Sequence, residues 1–233
     1  MIDEPFCTLR ISHRKVLIGL VLATLTLLSI HVALQVYHYE FRRLPWLMRQ
    51  FFDVDEEDSL PTWFATSLHL LTAALLYLIA RRKRAERDSW TGYWYGLSFV
   101  FVALSMDEIA GLHETINSVT SFSWVIPGAI AATIFGLVYI RFLWRLPPRT
   151  RWLFILSGCV FLGGALGVER ATDWYKDADQ LNTLAYNLWN AVEEGMEMSG
   201  VVLFIHAVLG YMGAIRNTPE TSQVDIIVAP PRP

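Results

Sequence analysis

The stretch VLIGLVLATLTLLSIHVALQV, residues 16–36, contains no Asp, Glu, Lys or Arg. As an α-helix rising 1.5 Å per residue it is long enough to cross a hydrocarbon core of about 30 Å. Arg10, Arg14 and Lys15 precede it, as basic residues precede a secretory signal. A cleavable signal has a shorter apolar core of roughly 7–15 residues, and no small-x-small cleavage site follows here. The run is therefore expected to be a retained first membrane span.

The same pattern recurs along the chain. The expected spans are 16–37, 62–80, 91–112, 124–145, 152–174 and 184–214, joined by short charged segments. Of the 233 residues, 54% are hydrophobic and 18% charged, with mean hydropathy +0.36. The apolar runs are continuous rather than alternating, which excludes a transmembrane barrel. Helix-start residues fall at the expected limits: Ser59, Pro61 and Thr62, then Ser89 before Trp90, then Pro147 and Pro148. The fold class is all-α, a polytopic membrane helix bundle of about six transmembrane helices.

Lys and Arg orient it. With the N-terminus inside, Arg81, Arg82, Lys83 and Arg84 head a group of 14 inner basic residues out of 19. Arg42, Arg43, Arg49, Arg170 and Lys176 lie outside. Both termini are then cytoplasmic, in the inner membrane of a bacterial-type cell. Residues 1–216 make one transmembrane domain, with a long outer loop at 38–61 whose Phe41–Phe52 part suits an interfacial helix. Residues 217–233 read as a disordered cytoplasmic tail. The net charge of −3 and the scattered basic residues exclude nucleic acid as a partner. Cys7 and Cys159 are expected at different depths and imply no disulfide. Gly128, Ala132 and Gly136, and again Gly163 and Gly167, make small-xxx-small strips suited to helix–helix contact.

The acids are the unusual feature. Trp90 to Glu108, Arg151 to Glu169 and Glu197 to Arg216 each span ~27–28 Å of helical rise. Three helices therefore place a glutamate at one level near the outer face. Asn187, Asn190, Glu194 and Glu197 form one stripe, and Glu169 and Asp173 share a face. His113 and Glu114 lie in the densest group of possible ligands, Asp107 to Glu114. The acidic loop Asp53–Asp58 lacks the glycine and final glutamate of a calcium-binding EF-hand loop and reads as a solvated charge run.

Such a cluster needs a compensating cation, protons, or Arg and Lys partners. The metal reading uses Glu108, His113, Glu114, Glu169, Glu194 and Glu197 as ligands, with Glu193 as a catalytic acid or base. An oxygen-rich set suits a divalent metal ion such as iron, manganese or calcium, and suits zinc less well. The activity would be that of a membrane metalloenzyme acting on a lipid or periplasmic substrate. The rival readings are a cation or proton transporter using the same acids, and an accessory subunit that docks a membrane-protein partner. No nucleophile elbow, phosphate loop or H-E-x-x-H motif occurs.

Overall fold

The computed structural model describes residues 7–112, 123–215 and 224–228, and the side chains of 12–112, 123–175 and 178–214. The helices are α1 (His13–Glu40), α2 (Trp46–Phe52), α3 (Leu60–Ala85), α4 (Thr91–Ala110), α5 (Val125–Arg145), α6 (Pro148–Leu162), α7 (Glu169–Asp177) and α8 (Leu184–Ile215). A π-helical turn, Gly163–Val168, joins α6 to α7 without a break.

Helix ends follow local chemistry. Ser59 caps α3 by accepting from the Thr62 N–H at 3.2 Å, and Pro61 occupies the first turn, where its missing N–H is not needed. Pro148 opens α6 in the same way. Trp90 rather than Ser89 is the cap of α4; the Asp88 carboxylate accepts from its N–H at 2.8 Å. Gly111 ends α4 in the left-handed region, φ 50°, which glycine adopts without a steric penalty. Its N–H closes the helix on the Asp107 carbonyl at 2.8 Å.

Five helical segments are long and apolar enough to cross a bilayer: His13–Glu40, Leu60–Ala85, Val125–Arg145, Pro148–Tyr175 and Leu184–Ala214. The chain is a polytopic helical membrane protein. The sixth expected span, α4, is less apolar because it starts on Thr, Gly, Tyr and Trp and ends on Asp107 and Glu108. Its neighbour compensates. Ser98 Oγ donates to the Ala73 carbonyl at 2.8 Å and Ser105 Oγ to the Thr66 carbonyl at 3.2 Å, so α4 runs antiparallel along α3 at the same depth. Counting α4, the crossings are even and the two termini share a side.

The ends do meet. The strand β1 (Cys7–Ile11) pairs antiparallel with β2 (Val224–Val228), Leu9 opposite Ile226. This corrects the expectation that all of 217–233 is disordered: Val224–Val228 is rich in β-branched residues and finds an edge to pair with.

The core lies where α3, α4 and α8 meet, around Leu68, Leu76, Trp94, Ile205 and Val208. Leu22, Leu25, Phe99, Ile130, Ile134 and Leu137 point outward, as residues facing lipid do. Helix α2 covers only part of the expected interfacial segment because Pro45 sets its start; it exposes Trp46, Leu47, Met48 and Phe51.

The glycine strips are placed differently from expectation. Beside Gly167, a Cβ would meet nothing within 4 Å, so it is not a packing glycine. The π turn carries an extra residue, so positions four apart no longer keep one face. The close approach is at Gly164, against the backbone of Glu193 in α8, with Gly163 against Met196. On α5, Gly128, Ala132 and Gly136 line a cavity; of the two glycines, Gly128 also packs closely against Trp124 and Leu166, while Gly136 meets nothing.

Candidate functional site

Helix α5 stands apart from its neighbours over much of its length, and the space between α4, α5, α6 and α8 is a cavity of about 950 Å³. Its inner end is closed by aromatic rings. Phe142 stacks on Tyr93 at 5.3 Å and meets Trp94 edge-on at 5.0 Å, and the Tyr139 hydroxyl donates to the Tyr93 carbonyl at 3.0 Å. Phe101, Phe135, Phe154, Phe161 and Phe204 continue the wall outward.

The outer end is acidic. Asp55 and Glu57 from the loop, Asp107 and Glu108 from α4, Glu169 from α7, and Glu193, Glu194 and Glu197 from α8 all line this one cavity. The level predicted from helical rise for Glu108, Glu169 and Glu197 thus coincides with a shared chamber. A side-chain hydrogen bond joins Glu169 to Glu193, which requires a proton on one of the two carboxyls. Glu197 lies within electrostatic range of Glu108, Glu169 and Asp107.

Among the described residues, no Lys or Arg lines the cavity. Arg170 turns aside to pair with Asp173 at 3.0 Å, and Arg49 sits beside His38 at 3.2 Å and over the Tyr39 ring.

Two expected ligands, His113 and Glu114, lie outside the described residues. Among the described residues, no group of three or more His, Cys, Asp and Glu side chains forms a ready ligand set for a metal ion. The expected ligands Glu108, Glu169, Glu194 and Glu197 share the chamber without being drawn into a coordination shell. Glu193, expected to be a free acid or base, is engaged with Glu169.

The loop is more than a charge run. Residues 55–58 are exposed as expected, but Asp53 is buried, and this corrects the solvated reading at that position. Gln35 Nε2 donates to Asp53 Oδ2 at 2.8 Å, and the Val54 N–H donates to His31 Nδ1 at 3.2 Å. With Nδ1 accepting, His31 Nε2 is the donor, directed at the Asn187 carbonyl at 3.2 Å. His31 of α1 thus ties the loop to α8. Beyond this tether, the Glu57 carboxylate packs against Gly111 at the end of α4, a position that leaves no room for a Cβ. Partial withdrawal from water, then Asp53 and Asp58, holds the Glu56 carboxyl above its usual range, with Arg49 opposing.

Sequence reasoning offers His69 as a possible contributor, about two turns into its span on a face with Thr62 and Thr66, but does not place it in the ligand set. It is 3% exposed, it lines the cavity, and its Nε2 has no hydrogen-bond partner among the described residues. The available signal was its place on one face of α3 with Thr62, which also lines the cavity. His206 does not line the chamber. It pairs with His13 at 2.9 Å near the start of α1.

No curated protein and no solved structure matches the chain. A family model does match, over residues 16–211, which takes in all but the outermost three residues of the first and last candidate spans, and the whole chamber with its acids. The chain belongs to the family described as Domain of unknown function (DUF8692).

Proposed function

We propose that the protein is a membrane metalloprotein of the cell's inner membrane. In this reading the acidic end of the chamber binds a divalent cation and the aromatic part takes a lipid-soluble substrate. The observation that carries the reading is the convergence of eight carboxylates from four chain segments on one cavity that no described Lys or Arg enters. Anions gathered at this density in a largely apolar site require positive charge or protons, and a divalent ion supplies two charges at once. Glu108, Glu169, Glu194 and Glu197 are the oxygen donors, with iron, manganese or calcium the ions that suit them. The carboxyl of Glu193 can hold or pass a proton through its hydrogen bond to Glu169. As an enzyme, the protein would use the ion to activate water or oxygen against the substrate.

A transporter would need the polar path to continue to the other face. At its inner end the cavity is lined instead by Tyr139 and Phe142, whose rings pack on Tyr93 and Trp94, so the enzyme reading is preferred.

Ligand linkage tests the proposal. An ion bound only by the folded state stabilises it by RT ln(1 + [L]/Kd), about 2.7 kcal/mol at a hundredfold excess over Kd. Chelation of gently purified protein should lower its melting temperature, and adding back Mn²⁺ or Fe²⁺ should restore it. A melting temperature indifferent to both treatments would remove the metal. Proton or cation flux in reconstituted vesicles would favour the transporter.

A further inference from the structure

We infer that His69 anchors the substrate: its Nε2 accepts a hydrogen bond from the hydroxyl of a lipid-soluble phenol or hydroquinone, whose ring and tail fill the aromatic section of the chamber. The inference rests on the reading of that section as a substrate site and does not need the metal.

His69 Nδ1 lies 3.0 Å from the Ala65 carbonyl, one turn earlier in α3. A carbonyl only accepts, so Nδ1 carries the hydrogen and, in the neutral ring, Nε2 presents a lone pair. The side chain is 3% exposed, it lines the cavity, and its Nε2 has no hydrogen-bond partner among the described residues. Buried polar atoms are nearly always satisfied, so an orphan on a cavity wall points to a molecule in the cavity. A lone water is poorly served at this place. It needs roughly two to four polar partners, and the rings beside His69 are Phe101 and Phe161, with centroids at 6.0 and 5.9 Å.

The lining sets the chemistry of the ligand. Ser157 Oγ donates to the Phe154 carbonyl at 2.9 Å, the Tyr139 hydroxyl to the Tyr93 carbonyl at 3.0 Å, and Thr62 Oγ1 to the Glu56 carbonyl at 2.9 Å. These three hydroxyls of the wall have given their hydrogens to the backbone and, like His69, offer lone pairs only. A hydroxyl finds partners there, whereas a ketone or ester oxygen does not find them in these groups. An ammonium group would settle outward, among the carboxylates, rather than beside two phenylalanines. The ligand body is aromatic because the wall is: Phe101, Phe135, Phe154, Phe161 and Phe204 offer faces and edges to a ring. The chamber, about 950 Å³, has room for a tail as well; small-molecule sites run to roughly 300–1,000 Å³.

The test uses the full chain in lipid nanodiscs with two probes, 4-octylphenol and its methyl ether, 4-octylanisole. They share one apolar body, and only the phenol donates. EDTA is present throughout, so that a phenolate bound to an ion cannot contribute, and binding to empty nanodiscs is subtracted. The unmodified protein should bind the phenol about tenfold more tightly than the ether, the effect of one buried hydrogen bond. In His69→Phe, which keeps a ring and loses the lone pair, the two affinities should become equal. His69→Gln restores an acceptor oxygen and should recover part of the preference. A second reading needs no variant: with ¹⁵N-histidine labelling, an unprotonated Nε2 resonance should move on adding the phenol and stay with the ether. Equal affinities in the unmodified protein, binding of neither probe, a preference that survives in His69→Phe, or an Nε2 resonance that ignores the phenol each overturn the inference. The metal reading is judged separately, by the response of the melting temperature to chelation, and neither result decides the other.

Discussion

Gly164 and Glu193 touch backbone to backbone: a Cβ on Gly164 would stand 2.7 Å from the Glu193 carbonyl oxygen and 3.1 Å from the Glu197 side chain. The contact joins the π turn to the acidic stripe of α8 and sets how closely Glu169 approaches Glu193. Neither neighbour is a flexible chain end, so a larger residue must push the helices apart. Gly164→Val should cost about 1–3 kcal/mol, the usual range for overpacking. Gly167→Val meets open space and should be neutral or stabilising by the few tenths of a kcal/mol that favour Val over Gly in helix propensity. Thermal melts of the two variants in one detergent check the contrast; equal losses would place the seam elsewhere.

The loop tether makes a separate prediction. His31→Ala removes the acceptor of the Val54 N–H and the donor to the Asn187 carbonyl, both buried. Leaving such groups unpaired costs about 1–3 kcal/mol each. Proteolysis within residues 53–58 should quicken in His31→Ala while cleavage elsewhere stays slow. Unchanged cutting at the loop would show that the tether does not hold it.

The bundle was legible in the sequence because a bilayer demands long apolar runs; α5 and α8 match the expected spans to one residue, and α1 and α3 extend past theirs into the flanking polar residues. The acidic layer was legible too, since helical rise alone brings Glu108, Glu169 and Glu197 to one depth. What escaped depended on local geometry. The π turn moved the packing glycine from Gly167 to Gly164, and nothing in the spacing marks an extra residue in a turn. Asp53 looked like one more solvated acid, because burial comes from Gln35 and His31, eighteen and twenty-two residues earlier in the chain. His69 was legible as a possible contributor from its face with Thr62 and Thr66, but its unpartnered Nε2 emerges only from hydrogen-bond accounting among the described residues.

Orientation can be read directly. With Cys7 and Cys159 replaced, single cysteines at Asp55 and Lys83 should lie on opposite faces, because Lys83 sits in the basic end of α3 and Asp55 in the loop before its start. An impermeant thiol reagent applied outside whole cells should label residue 55 and spare residue 83. The reverse pattern would invert the orientation, and labelling of both would break the crossing of α3.

Acid should act on the loop through Glu56. Its folded-state carboxyl is held above the usual range by partial burial and by Asp53 and Asp58, so ionisation carries a penalty in the folded protein. That penalty is present at neutral pH and is relieved as pH falls through the raised value, because the folded state then binds the proton more tightly than the unfolded chain. Glu56→Gln should therefore melt slightly higher than the parent near pH 7. The gap should close as pH drops toward the carboxylate range. A gap that widens on acidification would contradict the assignment.

The most direct measurement of the central claim is elemental stoichiometry on protein purified without chelators, compared with Glu108→Gln, Glu169→Gln and Glu197→Gln. Each change keeps the size of the side chain and removes its charge. The account predicts close to one divalent metal ion per chain in the parent and a clear loss in each variant, with a double change adding little once the ion has gone. A parent free of stoichiometric metal, together with Gln variants that melt higher than it does, would contradict the account: the carboxylates would then be held by protons alone.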